Sequence, residues 1–219
     1  MKIAEIFYSL QGEGSLVGVP SVFIRTSGCN LRCRWCDTPY TSWHPEGDEM
    51  TIDAIVDQAR GYQASHAVVT GGEPMIAPGI VELTHKLREA RFHITMETAG
   101  TVYADVACDL MSISPKLSNS TPEGPFRNQH ERLRVQPEVL GRLMRQYPHQ
   151  LKFVVAAPED LEEIKTYAGD KSAVILMPEG TRPDVLRERS LWLAEICKQE
   201  GYRYSPRLHV DLWGDRRGV

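Results

Sequence analysis

The chain has 219 residues, of which 42% are hydrophobic and 25% charged, and its formal net charge is −4. These values exclude a disordered or collagen-like protein. An acidic balance also argues against binding nucleic acid, since the phosphate backbone calls for a basic face. We find neither an apolar run of about 18 residues nor a signal peptide in the polar segment that begins the chain. We therefore expect one cytoplasmic domain, residues 1–219, that binds neither nucleic acid nor membrane.

The predicted elements alternate along the chain between strands and helices. Short runs of β-branched and aromatic residues predict strands at 3–9, 21–26, 66–70, 92–97, 109–114, 150–155 and 173–177. Amphipathic spacing and capping residues predict helices at 51–61, 78–90, 137–147, 158–168 and 182–200. Such alternation indicates a mainly parallel sheet. Two topologies are open, a doubly wound sheet and a partial (β/α) barrel of about six strands, because the chain is too short for a complete eight-stranded barrel.

In both topologies, functional side chains lie at the carboxyl ends of the strands. Four predicted strands are followed there by polar or glycine-rich turns: the cysteine loop (residues 27–38), 70–74, 97–101 and 114–116. Four such turns at one edge indicate a cofactor site.

Three of the five cysteines, Cys29, Cys33 and Cys36, form a C-x₃-C-x₂-C pattern. Because a cytosolic setting keeps thiols reduced, this cluster of cysteines favours a metal or catalytic role over disulfides. Zinc would need a fourth ligand, for which His44 is the candidate. Three thiolates on one tight loop also suit a 4Fe–4S cluster with one iron free of protein ligands. The remaining cysteines, Cys108 and Cys197, lie in apolar contexts and are predicted to be buried.

The cysteine pattern and the later segment Gly71-Gly72-Glu73-Pro74 together resemble the radical S-adenosylmethionine superfamily, although the glycine segment alone is also typical of a turn. The resemblance implies that the open iron chelates the amino and carboxylate groups of S-adenosylmethionine. It also implies that Trp35 packs near the adenine.

A narrower resemblance is carried by five further segments: LQGEG at 10–14, FIRTSGC at 23–29, CDT at 36–38, ETAGT at 97–101 and SPK at 114–116. Together they resemble the 7-carboxy-7-deazaguanine synthase family over about half of the chain. Ala99 stands where that family has asparagine. The family converts 6-carboxy-5,6,7,8-tetrahydropterin into 7-carboxy-7-deazaguanine with loss of ammonia, a lyase reaction of queuosine and other 7-deazapurine biosynthesis. The implied cofactors are one 4Fe–4S cluster, S-adenosylmethionine and Mg²⁺.

The resemblance assigns roles residue by residue. Cys29, Cys33 and Cys36 would hold the cluster. The residues expected around S-adenosylmethionine are Trp35, Cys36, Asp37, Gly72, Glu73, Ser114, Pro115, Lys116, Val154 and Val155. Those expected around the substrate are Leu10, Gln11, Gly12, Glu13, Arg25, Thr70 and His209, and Thr38 is the expected Mg²⁺ ligand.

Most of the substrate and metal assignments have a plainer alternative. Residues 10–14 are also typical of a glycine turn, and Arg25 could instead form a salt bridge with a core carboxylate. Thr38 could merely cap its loop, and the tail after His209 could be exposed. The other histidines, His130 among them, are expected to be ordinary surface or half-buried residues.

Two alternative functions remain open from the residues. One is a radical S-adenosylmethionine activase that installs a glycyl radical on a protein, and the other is a non-catalytic binding module stabilised by zinc. A single cluster motif implies an external reductant of the flavodoxin or ferredoxin type. The open edges of a partial barrel predict a homodimer.

Overall fold

The computed structural model describes residues 1–167 and 170–219. Within them lie nine strands: β1 Lys2–Leu10, β2 Pro20–Thr26, β3 Asp48–Glu49, β4 His66–Gly71, β5 His93–Thr98, β6 Leu110–Ile113, β7 His149–Val155, β8 Val174–Pro178 and β9 Arg203–Tyr204. The α-helices are α1 Pro39–Ser42, α2 Ile52–Gly61, α3 Ile80–Glu89, α4 Arg127–Arg134, α5 Pro137–Gln146, α6 Asp160–Tyr167, α7 Pro183–Glu200 and α8 Leu208–Trp213. The predicted end of one helix at residue 168 lies outside the described residues.

The strands form one sheet in the order β3-β1-β2-β4-β5-β6-β7-β8-β9. From β2 to β9 every neighbouring pair is parallel. The strands of this parallel part follow one another in chain order, whereas a doubly wound sheet reverses direction at a switch point. The sheet therefore winds as an open barrel, which confirms the partial (β/α) barrel and its core of about six parallel strands.

One strand runs against the parallel core. β1 pairs with β2 in the antiparallel direction, from Ile3 opposite Thr26 to Leu10 opposite Pro20. The connection between them, residues 11–19, is too short for the crossover of a dozen or more residues that a parallel pair requires.

Alternation along the strands separates the hydrophobic core from the inner face of the barrel. On β2, Val22 and Ile24 join the core that packs against the helices, whereas Phe23 and Arg25 line a cavity. Likewise on β7, Phe153 belongs to the core, while its neighbours on either side along the strand face the cavity. The period of two residues in a strand thus decides which side chains reach the site.

Two segments for which the sequence predicted neither a helix nor a strand contain helices. Residues 117–135, left without an assignment by the sequence, contain α4, and His209 lies on α8 rather than in an irregular tail. No helix in the described ranges is long and apolar enough to cross a membrane.

Candidate active site

A cavity of about 250 Å³ opens at the carboxyl ends of the strands. Fourteen of the residues predicted for the site line it: Leu10, Gln11, Gly12, Glu13, Arg25, Trp35, Asp37, Thr38, Thr70, Gly72, Ser114, Lys116, Val154 and His209. The fold therefore brings to one place side chains that the sequence spreads over some 200 residues. Residues 214–219 of the tail line the same cavity.

The cysteine loop passes beside this cavity. All three of its cysteines are free thiols; Cys33 is buried, and Cys29 and Cys36 are half-buried. They pack with Trp35, which lines the cavity, in a small apolar cluster. Burial raises the pKa of Cys29 to about 12 and that of Cys33 to about 11. Ligation of these thiols would thus release protons.

The donor set fits an iron–sulfur cluster better than a structural zinc. Zinc needs its ligands to converge on one point, and within residues 1–167 and 170–219 no three His, Cys, Asp or Glu side chains do so. His44, the candidate fourth ligand, is exposed on the surface. In a cubane cluster each thiolate binds a different iron, so three separated sulfurs next to a cavity suffice.

Gly72 allows β4 to approach the cysteine loop closely. A Cβ atom there would stand 2.3 Å from the carbonyl oxygen of Gly28 and 2.8 Å from Cβ of Cys29. The amide of Glu73 donates to that same carbonyl oxygen over 2.9 Å. These contacts fix the spacing between the first cysteine and the edge of the cavity.

The side chain of Glu73 lies behind the cavity wall. It is fully buried, and it accepts hydrogen bonds from Thr98 Oγ1 (2.8 Å), Ala99 N (2.8 Å) and Met75 N (3.1 Å). Burial raises the pKa of Glu73 in spite of these donors. Its carboxylate joins β4 to the turn after β5.

Three further residues predicted to contact S-adenosylmethionine are also absent from the cavity lining, namely Cys36, Pro115 and Val155, and Cys36 packs in the cysteine cluster. Pro115 is buried. Val155 belongs to the core because it follows Val154 on β7 and so points to the opposite face.

The turn after β6 presents a cation to the cavity. Lys116 Nζ donates to Ser114 Oγ over 2.9 Å and lies 5.6 Å from the centre of the Trp35 ring. The indole of Trp35 is held in turn by Asn119, whose carbonyl oxygen accepts from Nε1 over 3.1 Å. An aromatic face, a hydroxyl and a cation are thus arranged side by side.

A buried ion network spans the other side of the cavity. Lys152 Nζ lies 2.5 Å from Glu13 Oε2, and Arg207 Nε lies 3.1 Å from Glu13 Oε1. Arg207 also pairs with Asp37 and donates to the carbonyl oxygen of Gly180 over 2.5 Å. Burial would raise the pKa of Glu13, but Lys152 and Arg207 outweigh it and hold that pKa well below its usual range. The pKa of Asp37 is lowered in the same way, chiefly by Arg207 against the effect of burial.

Hydrogen bonds extend this network to the first loop and to β4. Glu97 accepts from Gln11 Nε2 over 3.2 Å and from Thr70 Oγ1 over 2.9 Å, and it lies 3.6 Å from Lys152 Nζ. The polar side chains of the loop after β1, Gln11 and Glu13, are therefore held at the cavity wall.

The imidazole ring of His209 packs against the backbone of the same loop at Gly12. A Cβ atom on Gly12 would stand 2.1 Å from His209 Nδ1, so only glycine fits there without displacing the ring. Burial lowers the pKa of His209 even though Glu13 opposes this effect. The imidazole is thus kept neutral at the cavity wall.

Arg25 forms a salt bridge with a carboxylate, Glu5, as the alternative to substrate binding predicted. Its Nε lies 2.7 Å from Glu5 Oε1, which also accepts from Tyr40 Oη over 2.7 Å. Both Arg25 and Glu5 line the cavity. Thr38 Oγ1 accepts from Thr41 Oγ1 over 3.3 Å and lines the cavity from the loop before α1.

Several site residues escaped the sequence interpretation. Lys152 stands in an apolar strand, the same signal that singled out Arg25, and it is 4% exposed. Arg207 lies in a polar segment that gives no such signal.

His130 was expected to be an ordinary surface or half-buried residue. That expectation is wrong, since the residue is 1% exposed and hydrogen-bonded at both ring nitrogens. Cys108 and Cys197 are buried as predicted.

Comparison with known proteins agrees with this geometry. Residues 23–136 match the radical SAM superfamily. A 7-carboxy-7-deazaguanine synthase from Halobacterium salinarum is 45% identical over 98% of this chain and 91% of its own length. One from Rhodopirellula baltica is 44% identical over 99% of this chain and 88% of its own length.

Solved structures show the same fold. Escherichia coli QueE superposes with a TM-score of 0.67 at 28% identity, covering 95% of this chain and 94% of that protein. Streptococcus suis SuiB, at 13% identity and a TM-score of 0.59, shares the fold only. Taken together with the cysteine loop and the cavity beside it, these similarities show that the chain belongs to the 7-carboxy-7-deazaguanine synthase family of radical S-adenosylmethionine enzymes.

Proposed function

We propose that this chain converts 6-carboxy-5,6,7,8-tetrahydropterin into 7-carboxy-7-deazaguanine with release of ammonia, a step of queuosine and related deazapurine biosynthesis. One observation carries the proposal: a cavity with a preset, buried ion network opens beside a loop of three free cysteines. A protein substrate, as an activase would have, needs no enclosed polar site of this kind.

The cysteine side of the cavity fits the cluster and S-adenosylmethionine. Cys29, Cys33 and Cys36 would hold three irons. When bound, the cluster and S-adenosylmethionine supply the one-electron chemistry that removes a hydrogen atom from the substrate. Lys116 presents a cation for a carboxylate, and Trp35 presents a ring face for the adenine.

The remaining contacts proposed for S-adenosylmethionine are fewer than the sequence implied. Gly72 and Val154 line the cavity and contribute backbone and apolar surface. Glu73 acts by holding the turn that shapes this wall, because its oxygens are occupied by Thr98, Ala99 and Met75.

The opposite side fits the pterin. Its aminopyrimidinone edge offers both donors and acceptors, which Gln11, Glu13 and Glu97 complement with an amide and two carboxylates. These side chains are held by hydrogen bonds and ion pairs before substrate arrives. Such preorganisation places the reacting carbon without further ordering of the protein.

Arg25 and His209 complete the proposed substrate contacts. Arg25 would bind the substrate carboxylate with the guanidinium nitrogens that Glu5 leaves free, because Glu5 contacts only its Nε. His209 is neutral and packs on Gly12, so it can hold one proton toward the bound ring. Thr70 and Leu10 line the same region.

Thr38 is the proposed ligand for Mg²⁺. A single protein hydroxyl suits this ion, which keeps several waters and completes its octahedron with substrate oxygens. Asp37 also lines the cavity, but its carboxylate is already paired with Arg207.

The test is anaerobic reconstitution with iron and sulfide, followed by reaction with dithionite, S-adenosylmethionine, Mg²⁺ and the carboxytetrahydropterin. We expect 7-carboxy-7-deazaguanine by mass spectrometry from the wild type and from Cys197→Ala, whose thiol is buried away from the site, but none from Cys33→Ala. A chain that cleaves S-adenosylmethionine but forms no deazaguanine would refute the substrate assignment. Stoichiometric zinc without iron would refute the cofactor assignment.

The proposed reductant is an acidic flavodoxin-like or ferredoxin-like protein. Three arginines are exposed, Arg34 in the cysteine loop and Arg127 and Arg132 on α4, and the ring of Phe126 is 38% exposed. Such a surface complements an acidic electron carrier. Reversing charge at Arg127 and Arg132 should slow turnover with the protein reductant and leave turnover with dithionite unchanged.

We also propose that the enzyme works as a cytoplasmic homodimer. β3 pairs only with Lys2 and Ile3 of β1, and farther along that side of β1 the ring of Tyr8 is 48% exposed. A second copy covering this apolar surface would bury it. Light scattering should give twice the chain mass of 24.7 kDa, and a monomer at micromolar concentration would contradict the proposal.

A further inference from the structure

Residues 117–135 lie on the cysteine loop instead of over the cavity entrance. The indole of Trp43 donates to Cys33 O over 3.0 Å and meets the ring of Phe126 edge-on at 5.6 Å. The guanidinium of Arg32 lies 5.5 Å from the centre of the same Phe126 ring. This segment thus covers the outer side of the loop that carries the cluster ligands.

Two backbone amides inside the cysteine loop donate hydrogen bonds to acceptors in this segment. Arg34 N donates to Ser120 O over 2.9 Å. Arg32 N, between the first and second cysteines, donates to His130 Nδ1 over 3.1 Å. An amide shielded from water is costly when it loses its acceptor, and Arg32 is half-buried, so its bond to His130 helps to hold the loop in shape.

The hydrogen bonds around His130 fix its tautomer. Nδ1 accepts from a backbone amide, so it carries no proton. Ser120 Oγ lies 2.9 Å from Nε2 and itself donates to Leu117 O over 2.6 Å, so its lone pair accepts from Nε2. The relay therefore runs from Arg32 N through His130 and Ser120 to Leu117 O, with every donor used once.

The other side of the segment is anchored to α6. Glu163 accepts from Ser118 N over 2.8 Å and lies 2.5 Å from Arg134 Nη1. One carboxylate thus ties both ends of residues 117–135 to the barrel.

We propose that residues 117–135 form a clamp on the cysteine loop, with His130 as a positioning residue that holds the loop in the shape the cluster needs. This inference rests on the proposed function, because it assumes that the three cysteines bind an iron–sulfur cluster. It concerns how firmly the chain retains that cluster and is independent of the substrate. His130 would thus support the iron–sulfur site without binding a metal itself.

The test measures loss of iron from the anaerobically reconstituted enzyme to an excess chelator, without substrate. Asparagine places an oxygen where Nδ1 of histidine lies, and glutamine places its polar end where Nε2 lies. His130→Asn should therefore lose iron at nearly the wild-type rate. His130→Gln should lose it about tenfold faster, the factor that about 1.4 kcal/mol represents.

Equal rates for the two variants, or a faster loss from His130→Asn, would overturn the proposal. If His130→Gln does not fold, the anchor gives a second measurement. Glu163→Ala should speed iron loss severalfold, whereas Glu159→Ala, an exposed residue beside the same helix, should not. Equal rates for these two would also overturn it.

Because iron loss is read without substrate, the outcome is separate from that of the proposed function. An enzyme that holds its cluster but forms no deazaguanine would refute the substrate assignment and leave the clamp testable.

Discussion

Replacing Lys152 by methionine should destabilise the folded chain strongly, because Lys152 separates two carboxylates in a buried place. The side chain is 6% exposed, with Nζ 2.5 Å from Glu13 Oε2 and 3.6 Å from Glu97 Oε1. Removing one partner of a buried pair typically costs about 3–5 kcal/mol. Glu13 keeps Arg207 at 3.1 Å, so we expect the lower end, about 3 kcal/mol.

The loss should appear in both urea and thermal unfolding at pH 7. In a chain of this size each kcal/mol lowers Tm by about 2–4 °C, so the expected decrease is about 6–12 °C. Adding Glu13→Gln to Lys152→Met should restore at least about 1 kcal/mol, since it removes the excess negative charge that loss of Lys152 leaves in the buried network. Lys165→Met, in an exposed pair with Glu162, is the matched control and should change nothing measurable.

The loss of folding stability in Lys152→Met should also depend on pH. Lys152 holds the pKa of Glu13 below its usual range, so the stabilisation is complete above the unfolded pKa of about 4 and is lost as the pH falls. The difference between wild type and Lys152→Met should therefore shrink between pH 7 and pH 3.5. A variant as stable as wild type at pH 7, or a double variant no more stable than the single one, would refute the reasoning.

Three further predictions follow from the walls of the site. Gly72→Ala should cut iron retention sharply, because its Cβ would lie 2.3 Å from a carbonyl oxygen of the cysteine loop, whereas Gly61→Ala, with open space around it, should retain iron fully. Glu73→Gln should lower the urea unfolding free energy by about 1–3 kcal/mol, since an amide NH₂ would face a donor such as Ala99 N; an unchanged midpoint would contradict this. In urea titrations from pH 6 to pH 3, Glu13→Gln should lose stability less steeply than wild type, by up to about 1.4 kcal/mol per pH unit below pH 4; parallel curves would show that Glu13 is not responsible.

Much of the barrel can be predicted from sequence because local patterns determine it. Strand and helix periods set the alternation, and the alternation places the loops with glycines and cysteines at one edge. The direction of β1 was also within reach, since nine residues cannot make a parallel crossover. The strand pattern itself reads the same in either direction, which is why the pattern alone did not reveal it.

The ion network of the site could not be predicted in the same way. Lys152 and Glu13 are 139 residues apart, and Arg207 and Glu13 are 194 apart. Pairings of this kind depend on how the barrel closes and leave no periodic trace. The two valines on β7 show a further limit. Both were assigned to the site from their place at the end of the predicted strand, whereas strand alternation directs Val154 to the cavity and Val155 to the core.

The pairing of Arg207 with Glu13 has a consequence for how the enzyme is made. A ribosome produces the cysteine loop and the strands from β1 to β6 long before Lys152 and Arg207 exist as residues. Until then, Glu13 has neither of the cations that hold it, and the first loop lacks its partners from the last helix. The ion network that lines the cavity can therefore be completed only after the last helix has been synthesised.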